Sequence, residues 1–165
     1  MDMTQEGGRI ARDAKERSAK RGQYLAWRLG AVEYGVDIQK VQEIRSYEEP
    51  TRVPASPECL KGVVNLRGVI VPIVDLRVKL GAEASYTAST VVVVLSVHGR
   101  VAGVVVDAVS DVVNLTQDSI LPPPQLSQLE GGAASFVTGV ASIDERMLLI
   151  ADLDILLGEL LGVPR

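Results

Sequence analysis

Short apolar runs, most of them rich in valine, recur along the chain at the lengths of β-strands. Valine and isoleucine have stiff side chains that suit a pleated surface better than a helix. The segments between the runs contain the glycines and polar residues that are typical of turns. The pattern therefore predicts a mostly β protein. The predicted strands cover residues 24–29, 33–38, 63–65, 69–75, 91–97, 101–106, 137–141 and 147–150.

Three segments depart from strand alternation. Ser56, Pro57 and Glu58 have the order of an N-cap, a first-turn proline and an acidic first turn, which predicts a brief helix that ends at Gly62. The spacing within 41–47 favours one turn of helix or a bend. Residues 152–161 predict a C-terminal helix with aspartates near its start. The spacing also places Pro72 inside a predicted strand, so that strand should lie at a sheet edge or contain a bulge.

The chain contains an internal repeat in two parts. In the upstream part, Gly35 to Ile44 matches Gly103 to Val112 at an offset of 68 residues. In the downstream part, Gly62 to Leu76 matches Gly139 to Leu153 at an offset of 77 residues, so the second copy has nine extra residues, which we place in a flexible insert at 125–135. Two copies of about five strands predict two small β-barrels side by side, with a groove between them.

Charge and composition exclude several classes of protein. The net charge is −4, and residues 1–21 contribute +2, with six Lys/Arg and four Asp/Glu, so the body carries −6. This balance argues against a nucleic-acid-binding barrel, which needs a basic, aromatic face. Residues 1–21 predict a flexible arm. The single cysteine, the short apolar runs and the absence of a signal-like start predict a soluble, cytoplasmic protein.

Candidate catalytic residues are few. His98, the only histidine, lies in a predicted hairpin turn, and Cys59, the only cysteine, lies among apolar residues. Neither has the partners that a nucleophile, a general base or a zinc site requires. Asp75 and Asp152 could form the carboxylate pair of a small hydrolase. Their equivalent places in the repeat instead favour a structural role, in which each accepts backbone N–H groups at a strand end.

Six segments combine into a recognisable pattern that covers about residues 22–158. They are Tyr34-Gly35-Val36-Asp37-Ile38, Val41-Gln42-Glu43-Ile44, Gly62-Val63-Val64-Asn65-Leu66-Arg67-Gly68, Val71-Pro72-Ile73-Val74-Asp75-Leu76-Arg77, Gly103-Val104-Val105-Val106-Asp107 and Val109-Ser110-Asp111-Val112. Together they resemble the CheW family of chemotaxis coupling proteins.

The resemblance implies two five-stranded SH3-like barrels and no enzymatic activity or cofactor. It implies an adaptor that joins the regulatory domain of the histidine kinase CheA to the cytoplasmic tip of transmembrane chemoreceptors, recruited to receptor arrays at the inner face of the membrane. The length leaves no room for a kinase core or a receiver domain, which indicates a stand-alone coupler. The alternative is a coupling protein of a non-chemotaxis receptor–kinase pathway.

The resemblance also implies where partners bind. Glu43 and Arg67 correspond to receptor-facing positions of the family; alternatively, they pair with each other in a surface salt bridge of about 0–1 kcal/mol. An apolar groove for a receptor helical hairpin is expected between the barrels. Its expected lining is Val41, Ile44, Val92 and Val112; the alternative for each of them is a place in the core. The kinase-binding residues are unknown. The expected division is an arm at 1–21, a CheW-like domain at 22–158 with two interleaved barrels at roughly 35–90 and 91–150, and a C-terminal end at 159–165.

Overall fold

Two β-sheets make up most of the computed structural model, which describes residues 22–123, 136–158 and 160–161. The described residues form eleven strands, two short α-helices and two 3₁₀ turns, which confirms the all-β prediction. The strands are β1 Gln23–Leu29, β2 Val32–Asp37, β3 Val41–Ser46, β4 Leu60–Leu66, β5 Val69–Asp75, β6 Val91–Val97, β7 Arg100–Val106, β8 Ala108–Asn114, β9 Ile120–Leu121, β10 Val137–Ile143 and β11 Arg146–Ala151. The helices are α1 Leu76–Lys79 and α2 Leu153–Gly158, and the 3₁₀ turns are Ile38–Lys40 and Gln117–Ser119.

The two sheets follow the same plan. The first barrel has the strand order β8-β1-β2-β11-β10-β9, and the second has β3-β6-β7-β5-β4. In each barrel one pair is parallel, β11 with β2 in the first and β5 with β7 in the second, and the other pairs are antiparallel. The predicted five strands are present in both barrels, and the first adds the two-residue strand β9.

The repeat and the barrels do not coincide. Strands β1 to β5 form the first copy, and β6, β7, β8, β10 and β11 occupy the equivalent positions of the second. Each barrel takes two strands from the start of one copy and three from the other. The division between barrels predicted near residue 90 therefore does not match the sheets, because β6 and β7 belong with β3 to β5, whereas β1 and β2 belong with the C-terminal strands.

Three apolar cores lie in the two barrels and between them. One cluster fills the first barrel, with Leu148 and Ile150, and another fills the second, with Val92 and Val94. The largest cluster combines residues from both barrels, including Trp27 and Val93. Strand β6 explains the arrangement, because its alternate side chains enter the second barrel and the shared core. Both faces of the valine strands are covered, and Trp27 is a core residue.

Local signals misled three assignments. The segment before Gly62 is not a helix: Leu60 already begins β4, and Gly62 lies beside a bulge inside that strand. Residues 41–46 form strand β3, not a helical turn or bend. Strand β5 is internal, and Pro72 faces Val63, whose N–H and C=O groups bond to Thr51 at 2.8 and 2.9 Å. The predicted insert at 125–135 lies outside the described residues, as does the arm at 1–21.

The position of Gly62 explains why the expected helix is replaced. Its φ is +148°, and a Cβ atom there would lie 2.1 Å from the carbonyl oxygen of Thr51. The segment that begins at Thr51 crosses β4 at this point as an isolated β-bridge to Val63. This close backbone contact, and not a helix end, requires glycine.

We expect Gly62→Ala to lower the free energy of unfolding by about 3 kcal/mol or more, because the new methyl group must displace the Thr51 backbone. Urea unfolding followed by the fluorescence of Trp27 measures the loss. Gly81→Ala is the matched control, since Gly81 also has a positive φ of +75° but nothing within 4 Å of the added atom. Equal losses in the two variants would show that backbone strain alone, and not the Thr51 contact, requires Gly62.

Candidate functional site

Arg67 occupies an exposed two-residue turn between β4 and β5. Its φ is +51°, and the following Gly68 has a φ of +89°, which is the backbone of a type I′ hairpin. The Asn65 side chain accepts a hydrogen bond of 2.8 Å from the Gly68 N–H and closes the turn. The Arg67 side chain is 76% exposed. The turn therefore presents a guanidinium group to solvent on a well-defined backbone.

The structure brings Glu43 and Arg67 together. Arg67 Nη2 lies 3.2 Å from Glu43 Oε2, and Arg45 Nη1 lies 3.5 Å from Glu43 Oε1. Glu43 is on β3, and Arg67 adjoins β4, so the pair links the two opposite edges of the second sheet. An ion pair this exposed stabilises the fold by only about 0–1 kcal/mol. It holds the guanidinium near β3 without using most of its donors.

The four apolar residues predicted to line one groove lie in different surroundings. Ile44 and Val112 are exposed, and they occupy equivalent positions in the repeat. Val41 is half-buried and packs against the shared core. Val92 is only 5% exposed and lies inside the second barrel. Val92 does not line a surface groove, because strand alternation on β6 points it into the barrel.

Two exposed aliphatic residues beside Arg67 were not predicted. Val69 and Ile70 directly follow the turn, and Ile70 is 61% exposed. The available signal was their position directly after the hairpin turn, in the part of β5 that pairs with β4 but not with β7. We define the Arg67 surface as Glu43, Ile44, Arg67, Val69 and Ile70. It combines exposed aliphatic side chains with one exposed, weakly paired arginine.

The first barrel has an equivalent but tighter charge cluster. Asp111 on β8 occupies the repeat position of Glu43, and it accepts bonds of 2.9 and 3.0 Å from Arg146. Arg146 also donates to Glu33 at 2.7 and 3.2 Å. These hydrogen bonds from Arg146 hold the pKa of Glu33 and of Asp111 below their usual values. Arg146 is thus held on two carboxylates, whereas Arg67 contacts one.

Asp75 and Asp152 have the same local role at equivalent strand ends. Asp75 Oδ1 accepts from the Arg77 N–H at 3.0 Å, and Asp152 Oδ1 accepts from the N–H groups of Asp154 and Ile155 at 2.9 and 3.2 Å. Asp75 is also fully buried, with both oxygens bonded to Arg77 and one to Tyr86. This is the predicted structural role, and it leaves Asp75 no access to a substrate.

The other candidate residues lie where the sequence predicted. His98 is exposed in the β6–β7 turn, with Nε2 3.8 Å from Asp154 Oδ2. Cys59 is half-buried against the shared core.

Within the described ranges, no three His, Cys, Asp or Glu side chains are grouped to hold a metal ion. Among the same residues, no helix has the length and apolar character to span a membrane.

We expect stability to fall as the pH is lowered from about 5 toward 2. Burial alone would raise the pKa of Asp75, but hydrogen bonds from Arg77 and Tyr86, and the Arg77 charge, lower it below its usual value. The contribution of Asp75 is therefore complete above its unfolded pKa of about 4 and is lost below it. Urea midpoints measured across this range report the loss.

Asp75→Asn isolates this effect from Glu33 and Asp111, whose pKa values are also lowered. The variant should be less stable near pH 7 by about 3 kcal/mol, since it breaks a buried ion pair. Its stability should also fall less steeply with acid than that of the wild type. Parallel pH curves for the two proteins would contradict the assignment.

Known proteins of the same fold match most of the chain. The model of the CheW-like domain matches residues 23–160. A chemotaxis protein CheW from Klebsiella aerogenes is 49% identical over 136 residues, covering 82% of this chain and 81% of that protein. Protein FrzA of Myxococcus xanthus is 32% identical over 114 residues, covering 68% of this chain and 69% of that one.

A solved structure agrees with these sequence matches. The crystal structure of the scaffolding protein TtCheW from Thermoanaerobacter tengcongensis superposes with a TM-score of 0.73 at 31% identity. The match covers 80% of this chain and 89% of that one. The two barrels, the segments of the repeat and the Arg67 turn all lie within the matched family domain. The chain therefore belongs to the CheW-like family, whose members are non-catalytic coupling and scaffolding proteins of chemotaxis.

Proposed function

We propose that this protein couples the cytoplasmic tip of transmembrane chemoreceptors to the regulatory domain of the histidine kinase CheA. The observation that carries the proposal is the Arg67 surface, which places an exposed guanidinium beside exposed aliphatic side chains. Family membership and the names of the relatives support the pathway. Binding to both partners would recruit the protein to receptor arrays at the inner face of the membrane.

The chemistry of the Arg67 surface suits a helical partner that carries a carboxylate. Arginine is enriched among the residues that dominate binding energy, and its planar group pairs with a carboxylate through two hydrogen bonds. The existing contact with Glu43 is single and exposed, so a partner can replace or extend it at little cost. Ile44, Val69 and Ile70 can contact the apolar face of a receptor helix.

The kinase domain is proposed to bind elsewhere on the protein. An adaptor that holds two partners by separate surfaces raises their effective concentration for each other. It also lets a change in the receptor bias the conformation of the kinase. Since the shared core packs residues of both barrels together, the two surfaces keep a fixed geometry. A receptor–kinase pathway outside chemotaxis would use the same arrangement with other partners.

Arg67 and Arg146 should respond differently to truncation. We expect Arg67→Ala to change the free energy of unfolding by less than about 1 kcal/mol, because the side chain is exposed and has one ionic contact. Arg146→Ala should cost about 1–2 kcal/mol, because it leaves Glu33 and Asp111 without their shared donor. Urea denaturation of both variants tests the contrast. A larger loss for Arg67→Ala would assign that residue to the fold.

Arg67→Ala should weaken binding to the receptor's cytoplasmic fragment by roughly 2 kcal/mol, or about thirtyfold. Binding to the CheA regulatory domain should stay near the wild-type value. Calorimetric titration with each purified partner measures both affinities. Arg100→Ala is the matched control, because Arg100 is exposed and follows the two-residue β6–β7 turn of the same barrel.

Three outcomes would contradict parts of the proposal. Loss of both affinities in a folded Arg67→Ala protein would refute the two-surface arrangement. Unchanged receptor binding would refute the Arg67 surface. No binding of the wild type to either partner would leave the fold assigned but the chemotaxis partners wrong, and a receptor from another pathway would then be titrated.

A further inference from the structure

A fully buried arginine lies where several segments meet. Arg77, in α1, is 0% exposed. Its Nε and Nη2 atoms each donate to an Asp75 oxygen at 3.0 Å. Its Nη1 atom donates to Asp107 Oδ1 at 2.9 Å and to the carbonyl oxygen of Ser85. One guanidinium group therefore bonds the end of β5, the segment after β7 and the loop before β6.

Asp107 extends this cluster to the other barrel. It is the single residue between β7 of the second barrel and β8 of the first. Its Oδ2 atom accepts a hydrogen bond of 2.6 Å from the Gly30 N–H, in the β1–β2 turn. Its own N–H donates to the Arg28 carbonyl at 3.0 Å. Arg77 thus connects to a turn of the first barrel through one carboxylate.

The loop between α1 and β6, residues 80–90, is here called the strap. Tyr86 in the strap donates from its hydroxyl to Asp75 Oδ2 at 2.9 Å, and the Arg77 guanidinium lies 4.8 Å from the centre of its ring. The same ring stacks on Tyr47 with centroids 4.5 Å apart. Burial and the bond to Asp75 raise the Tyr86 pKa, so its hydroxyl stays a donor at neutral pH.

The stacked tyrosines form part of the wall of a surface cavity of about 530 Å³. Residues from the 49–61 segment and Val78 of α1 line the rest of it. Because Tyr86 donates its hydroxyl to Asp75, lies under the Arg77 guanidinium and stacks on Tyr47, the buried cluster helps to set the geometry of this wall. The strap itself begins and ends at elements of the second barrel, so its ends alone do not fix Tyr86.

The repeat shows that this arrangement is specific to one side of the molecule. Asp154 occupies the position equivalent to Arg77, with the opposite charge. Its partners are Lys40 at 3.6 Å and His98 at 3.8 Å, and all three side chains are partly exposed. Weak exposed pairs are screened by solvent, whereas the pairs of the buried Arg77 are screened much less. The second copy thus has no equivalent buried arginine.

We propose that Arg77 is a positioning residue that fixes the strap and, through Tyr86, the Tyr47–Tyr86 wall of the cavity, and that ties both to the β1–β2 turn. The planar fork of arginine makes bonds in several directions at once, which the point charge of lysine does not reproduce. The barrels do not depend on Arg77 for their association, because the shared apolar core holds them. Loss of the guanidinium group should therefore release the strap while the fold stays intact.

NMR of the full chain with ¹³C-labelled tyrosine rings tests this proposal in the Arg77→Lys variant. The four tyrosines give separate reports, and Tyr47→Phe and Tyr86→Phe assign two of them. We expect the ring signals of Tyr47 and Tyr86 to move toward unstructured values, with Tyr24 and Tyr34 unchanged. Strap amides should exchange hydrogen at least about tenfold faster. Arg146→Lys is the control, because it replaces an ion-paired arginine of the first barrel. It should leave the ring signals of Tyr47 and Tyr86 unchanged.

Unchanged Tyr47 and Tyr86 signals in Arg77→Lys would overturn the proposal, and so would equal shifts of all four tyrosines, which indicate general loosening. If Arg77→Lys does not fold, Asp107→Ala provides the test, because it keeps the Arg77–Asp75 pair and removes the bonds from the Asp107 carboxylate to Arg77 and to Gly30. The Gly30 amide and the strap should then exchange faster. Wild-type exchange at both places would overturn the proposal. These measurements need no partner, so their outcome is independent of the proposed function.

Discussion

The burial of apolar side chains between the two barrels is the constraint on which the rest of the structure depends. Strands such as β1 and β6 have two apolar faces, one directed into a barrel and the other into the shared core. Since each barrel takes strands from both copies of the repeat, neither copy can form a complete barrel from its own strands. The shared apolar core, and not the short polar segments, therefore holds the two barrels together.

The two barrels share a backbone plan but differ in their side chains, so they differ in how well they can bind a partner. Equivalent places hold Glu43 and Asp111, yet Arg67 contacts one carboxylate and remains exposed, whereas Arg146 is held by two. An arginine fixed in this way has few donors left for a partner. Its removal should therefore lower mainly the stability of the fold. The repeat therefore supplies a scaffold, and the proposed binding surface lies where the copies differ.

The sequence predicted the features that the two copies of the repeat share. It did not predict the features that depend on contacts between segments far apart in the chain. The offsets of 68 and 77 residues correctly paired the strands of the two copies and the caps at Asp75 and Asp152. They could not show which sheet each strand joins, so the division near residue 90 was wrong. The helix before Gly62 had good local signals, but pairing of Thr51 with β4 overrides them. The resemblance placed Val92 in the groove, but it does not show which face of β6 carries that side chain, and Val92 lies inside the second barrel.

A rigid adaptor limits how a signal can pass from receptor to kinase under the proposed function. Rearrangement between the barrels would expose the shared core, and each fully buried Val or Leu side chain there contributes about 1.5–3 kcal/mol of hydrophobic stabilisation. A receptor contact worth a few kcal/mol at the Arg67 surface is too weak to separate many such side chains. The coupling free energy must therefore act on the position and orientation of the whole protein relative to its partners, or on local elements such as the strap, most of which lies outside the shared core.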